Sequence, residues 1–290
     1  MINSPAPVAQ CAGRRDALST FGNRLLTLIA LLALMPVLLL VVELPTRIIS
    51  LNFLGSPLSI TLSADTLLIV FLPALTVAGA DWILREHPEV QSGRIAFLFP
   101  FWVTPGLVAL ALAILLTRLT TWAGWLAALI GGSVALGMLL LAIYRSLAPE
   151  ISPEAPARVV VAGMGYVIAF ALFTLIYSTR ERSAITATAT FLASAALAID
   201  LLAPRSLRDL RRAAPYALIA GWLTGQAIWA LNYCNLSQWS AGTLLLVIFY
   251  AAVGIAQQHL LGKLTRSVLM EFAIVSVIAL LIAWRLADVR

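Results

Sequence analysis

The sequence predicts an all-α fold: a polytopic transmembrane helix bundle of about nine spans, N-terminus inside and C-terminus outside. Three observations carry this. Only 11% of the 290 residues are charged, against about 25% in soluble domains. Hydrophobic residues make up 61%, and the mean hydropathy is +0.98. The apolar residues collect into runs of roughly 18 or more, and about 20 suffice for a helix to cross the hydrocarbon core. A soluble fold, a disordered chain and a disulfide scaffold are excluded.

Residues 1–23 form a polar tail, assigned to the cytoplasm, that contains Arg14 and Arg15; residues 24–290 form a single membrane domain. The apolar run 25–42 exceeds the signal-peptide core of about 7 to 15 residues, and no A-x-A-like site follows it, so it reads as an uncleaved first helix. The nine spans are 24–43, 65–84, 95–116, 122–144, 158–177, 184–202, 216–236, 240–261 and 268–285. The last has a polar inner end at Glu271. Residues 44–63 hold two β-leaning runs around Gly55, Ser56 and Pro57, which predicts a small external hairpin. An amphipathic loop on the membrane surface is the even alternative. Segment 44–64 is also where a protein partner would dock. Residues 145–157, with Pro149, Pro153 and Pro156, read as a stiff linker.

The basic residues set the orientation. With the N-terminus inside, Arg47, Arg118, Arg180, Arg182, Arg285 and Arg290 fall outside, and the other 13 of the 19 fall on the cytoplasmic face. That bias follows the positive-inside rule. The net charge of +6 is scattered over connecting segments, so the partner it implies is the lipid bilayer and not nucleic acid. Lys263 is the single lysine. That arginine bias, with abundant Ala and Leu, suggests a GC-rich genome and a bacterial inner membrane. Cys11 and Cys234 fall on opposite faces and form no redox or metal pattern.

An internal repeat is suggested by Ala135-Leu136-Gly137 and Ala252-Val253-Gly254 at an offset of 117, and by Phe71-Leu72 with Asp81 against Phe191-Leu192 with Asp200. It would make a leader helix followed by parallel units at 65–180 and 184–290. Coincidence in low-complexity apolar text is the plainer account.

Ionisable groups inside a bilayer are costly, about 2.5 to 3.5 kcal/mol at mid-span, so depth ranks the candidates. Gln226 is the deepest polar residue, at the midpoint of the seventh span. Trp222, Gln226, Trp229 and Tyr233 share one helical face with Asn232 nearby. Such a set suits a ligand-binding surface, since indole offers an apolar face and one N–H donor. It suits a helix interface equally well, and the G-x-x-x-G step Gly221–Gly225 favours close packing. Asp81, Asp200, Gln257, Gln258, His259 and Glu271 lie near the cytoplasmic boundary. They read first as hydrated helix ends, and second as an inner polar vestibule. Glu43 and Asp65 bracket the hairpin as an external carboxylate pair. Pro36, Pro73 and Pro105 fall inside spans one to three, with none inside spans four to nine; each frees the carbonyl four residues earlier and introduces a kink. The small-residue stripes Thr186, Thr190, Ser194 and Ala198, and Ser133 with Gly137, read as packing faces.

No cofactor or metal is expected. His87 and His259 are the only histidines, and H-E-x-x-H, G-x-S-x-G and P-loop patterns are missing. Three functions fit. The first is a permease-like or ligand-holding bundle for a small neutral or amphipathic solute. Nearly equal is a non-catalytic accessory or scaffold subunit of a membrane complex. Well behind stands an enzyme using Glu43 and Asp65 on a lipid-linked substrate.

Overall fold

The sequence pattern of long apolar runs between short polar segments is realised as ten helices and one hairpin in a computed structural model that describes residues 7–42, 45–53, 56–93, 98–147, 156–179, 183–202, 207–234 and 236–287. The first apolar run lies in α1 (Pro7–Val41), followed by β1 (Arg47–Phe53), β2 (Ser56–Leu62) and α2 (Ala64–Leu84). A short α3 (Pro88–Gln91) precedes α4 (Phe99–Arg118), α5 (Trp122–Ser146) and α6 (Pro156–Ser178). The chain continues through α7 (Ser183–Leu201), α8 (Leu207–Leu231), α9 (Gln238–Leu260) and α10 (Arg266–Ala287). Six helices, α1, α2, α4, α5, α7 and α9, contain stretches long and apolar enough to cross a membrane among the described residues. α6 contributes the shorter apolar stretch Ala162–Ser178.

Local chemistry sets several helix starts. The Ser63 hydroxyl accepts from the Thr66 amide at 3.3 Å and caps α2; the Ser237 hydroxyl accepts from the Ser240 amide at 3.1 Å and caps α9. Each satisfies an amide that the first helical turn leaves without a partner. The hairpin is antiparallel, with Arg47 opposite Leu62 and Phe53 opposite Ser56. The expected turn residues Ser56 and Pro57 belong to β2, and Gly55 lies outside the described residues. Pro57 sits one residue into the strand, where a missing N–H is tolerated.

Contacts near the ends of the apolar stretches fix an up-and-down order. Arg24 of α1 meets Trp82 at the end of α2, and Thr104 near the start of α4 meets Asp200 at the end of α7. Tyr216 near the start of α8 lies 5.5 Å from His259 at the end of α9. These groups mark one end of the bundle, here called proximal. At the distal end, Tyr177 of α6 donates to the carbonyls of Leu231 and Cys234, and Asn232 donates to Thr186 at the start of α7.

Adjacent helices close into two rings. In the first, α1 packs on α2, α2 on α4, α4 on α5 and α5 back on α1; in the second, α6, α7, α8 and α9 follow the same order. Each ring has its own core: Leu32, Leu72, Ala109 and Leu136 are buried in the first, Phe173, Leu197, Ile228 and Phe249 in the second. α4 and α5 carry the contact between rings, and α10 packs against α9. The outward faces stay apolar, with Leu34, Val70, Ile130, Met138, Leu192 and Ile274 exposed. That surface suits hydrocarbon and not water.

The polar tail is helical over residues 7–23 and continuous with the apolar part of α1. Two expectations are corrected. The seventh span, expected at 216–236, is α8 at Leu207–Leu231, so Gln226 lies near its distal end and not at its midpoint. The longer helix also takes in Pro215, so an interior proline does occur beyond α4.

Candidate functional site

α8 has two unlike faces. Toward α7 it presents Gly221 and Gly225. A Cβ at Gly221 would stand 2.8 Å from the Phe191 carbonyl oxygen and 2.9 Å from the Ala195 Cβ; at Gly225 it would stand 3.1 Å from the Ala187 carbonyl oxygen. The bare glycines let the two backbones approach, which is the packing role the G-x-x-x-G step implied. A face about a quarter-turn round the helix carries Trp222 (58% exposed), Gln226, Trp229 (43%) and Tyr233 (77%). Gln226 is thus not the polar point of the interior: its amide points away from the helices of this chain. Residues one position on from each glycine lie about 100° round the helix, so this face turns aside from α7, and its exposure shows that no other helix of this chain covers it. Asn232 is half-buried, and its Nδ2 donates to the Thr186 Oγ1 at 2.8 Å.

Much of the interior polarity lies on α7 and α4 instead. Asp200, expected as a hydrated helix end, is half-buried and accepts a hydrogen bond from the buried Thr104 hydroxyl, across the seam between the rings. Thr104 precedes Pro105, whose missing N–H leaves the Phe101 carbonyl without its usual helical donor. The Thr-Pro pair inside an apolar run was the available signal for Thr104. Along α7, Thr186, Thr190 and Ser194 are all buried. Pro36, Pro73 and Pro105 lie inside α1, α2 and α4, three consecutive members of the first ring.

A second polar group closes the proximal end of the first ring. Arg24 forms an ion pair with Glu86, donates to the Trp82 carbonyl at 3.2 Å and stands 4.3 Å over the Trp82 ring. His87, read from sequence as a loop residue, is 5% exposed. Its Nδ1 accepts from the Glu89 amide at 3.2 Å, and its ring meets Tyr144 edge-on at 4.7 Å. Burial pushes the His87 pKa below its ordinary 6.5, with the Glu89 carboxylate opposing. No sequence pattern marked it, because its burial depends on α5 supplying Tyr144.

The remaining described candidates lie on α2, α9 and α10. Asp81 is half-buried and pairs with Arg85 at 2.6 Å, an i,i+4 bridge. Gln257, His259 and Glu271 are exposed and Gln258 is half-buried, on α9 and α10. Asp81 and Asp200 belong to α2 and α7. Asp65 is exposed in the first turn of α2, and Glu43 lies outside the described residues. Among the described residues no group of three or more His, Cys, Asp or Glu could hold a metal ion.

A family model described as a protein of unknown function (DUF5656) matches residues 44–285. No curated protein and no solved structure matches the chain.

Proposed function

Because the chain belongs to the DUF5656 family of proteins of unknown function, we propose its function from the geometry: a permease-like, ligand-holding membrane bundle for a small neutral solute. The carrying observation is the Thr104–Asp200 hydrogen bond, a polar contact placed between the two rings and not within one. Carriers built from parallel repeats hold solute where the halves meet; this is an analogy of architecture. The matching order of packing, α1-α2-α4-α5 and α6-α7-α8-α9, supports an internal repeat in which α1 is the counterpart of α6 and α10 is the added helix. That division keeps the sequence correspondences of α2 with α7 and α5 with α9. It replaces the leader-helix division.

In this reading the protein spans the membrane nine times through α1, α2 and α4 to α10. The proximal end, where the basic residues concentrate, is cytoplasmic. A bacterial inner membrane is the matching site. At the distal face Trp122, Trp239, Trp229 and Tyr233 are exposed near helix ends, as expected of an aromatic belt at headgroup level. The Trp222–Tyr233 face therefore anchors the bundle and does not line the solute site.

The same outward face supports a second reading, an accessory or scaffold subunit. An exposed primary amide among indoles offers both donor and acceptor to a neighbouring helix.

Purified protein in liposomes, tested with glycerol and urea as probes by stopped-flow light scattering, decides between the two. Faster solute entry than in protein-free vesicles supports the permease. Identical rates for both probes would remove it and leave the scaffold.

A further inference from the structure

Hydroxyls on membrane helices ordinarily bond back to a carbonyl three or four residues earlier. Much of this chain does so. Thr76 donates to the Leu72 carbonyl and Thr224 to the Ala220 carbonyl, both fully buried; Thr188 on α7 donates to the Ala184 carbonyl. Thr190 and Ser194 break the pattern. Both are fully buried, stand one turn apart on α7, and have hydroxyls without a protein partner. Thr174 on α6 is the third such hydroxyl in the same ring. Beside it α9 places Gly242, where a Cβ would collide with the Thr174 Oγ1.

Depth orders these groups. At 1.5 Å per residue, Thr186 and Thr174 lie within about 6 Å of the distal helix ends, Thr190 about 10 Å below, and Ser194 about 16 Å below. Thr186 is already tied to Asn232 at the distal surface. Hydroxyls that find no donor or acceptor in the protein are satisfied by ordered water where the site is polar enough to give it partners. Each offers one donor and two acceptor positions, so neighbouring hydroxyls can share a bridging molecule.

We propose that Thr190 and Ser194 of α7, with Thr174 of α6, form a water-binding file that opens at the distal face and ends inside the second ring. The small side chains on α7 serve as hydrogen-bonding positions as well as packing surfaces. The file is independent of the solute-handling reading: a hydrated file without solute flux would sink that reading alone.

The test uses the full chain in liposomes, with Cys11→Ser and Cys234→Ser as background because Cys234 is exposed. Single cysteines replace Thr190, Ser194 and, as an apolar control from the same core, Leu245. Aminoethyl methanethiosulfonate is added from the distal side. Modification of Thr190→Cys and Ser194→Cys at least ten-fold faster than of Leu245→Cys is expected; equal, slow modification of all three overturns the file. Thr190→Val and Ser194→Ala provide a check free of the reagent. Unchanged or lowered melting temperatures agree with hydrated hydroxyls, whereas raised values for both would mean dry, unsatisfied groups and would also overturn it.

Discussion

The Thr104 hydroxyl of α4 donates to the Asp200 carboxylate of α7, and this bond joins the proximal ends of two four-helix rings. Hydrogen bonds to charged groups contribute about 1.5 to 3 kcal/mol. Thr104→Val keeps the side-chain shape and removes the donor, so thermal unfolding in detergent is expected to fall by an amount in that range. Asp200→Asn keeps an acceptor oxygen and should cost less. A Thr104→Val melting temperature equal to that of the parent would mean that the bond contributes nothing to the seam.

The α7–α8 contact makes a graded prediction. A Cβ at Gly221 meets a backbone oxygen at 2.8 Å, whereas at Gly225 the approach relaxes to 3.1 Å. Overpacking a tight contact costs about 1 to 3 kcal/mol. Gly221→Ala is expected near the upper part of that range and Gly225→Ala below it. The order of melting temperatures checks this, and the reverse order would contradict the register.

How much of this was legible in the sequence follows from what each feature depends on. Helix positions and the hairpin strands were readable because hydropathy runs and β-leaning residues are local properties. The G-x-x-x-G role of Gly221 and Gly225 was readable too, since close packing needs only small residues at one-turn spacing. Which way the neighbouring aromatic face pointed was not. Trp222 and Gln226 share a face in any helix, and only the packing of α8 against both α7 and α9 leaves this face uncovered. Asp200 was misjudged for the same reason: distance along α7 placed it at a boundary, but Thr104, 96 positions earlier in the chain, determines its surroundings.

His87 gives the pH prediction. Its pKa in the folded protein is lowered by burial, so between that value and 6.5 the unfolded chain binds the proton and the folded one does not. Stability is therefore full above about 6.5 and is lost as the pH falls toward the folded value. Glu89 opposes this shift, and the preceding residue, Glu86, pairs with Arg24. His87→Asn is expected to flatten the fall in melting temperature on acidification below pH 6.5. An unaltered slope would assign that fall to other groups.

The outward face of α8 is expected to tolerate change within one chain. Gln226→Leu and Trp222→Leu should shift monomer stability by no more than about 0.5 kcal/mol, as at other exposed positions. Light scattering coupled to size exclusion in detergent reads the assembly state of the same variants. A loss of oligomers at constant monomer stability would support the scaffold reading, and a loss of monomer stability would contradict the exposed placement.

The most direct test compares two substitutions in one flux assay: Thr104→Phe, which fills the seam between the rings, and Gln226→Leu, which alters the exposed α8 face. With glycerol as the probe in liposomes, the account expects flux to be lost in the first and kept in the second. Flux kept in Thr104→Phe and lost in Gln226→Leu would contradict it and return the solute site to α8.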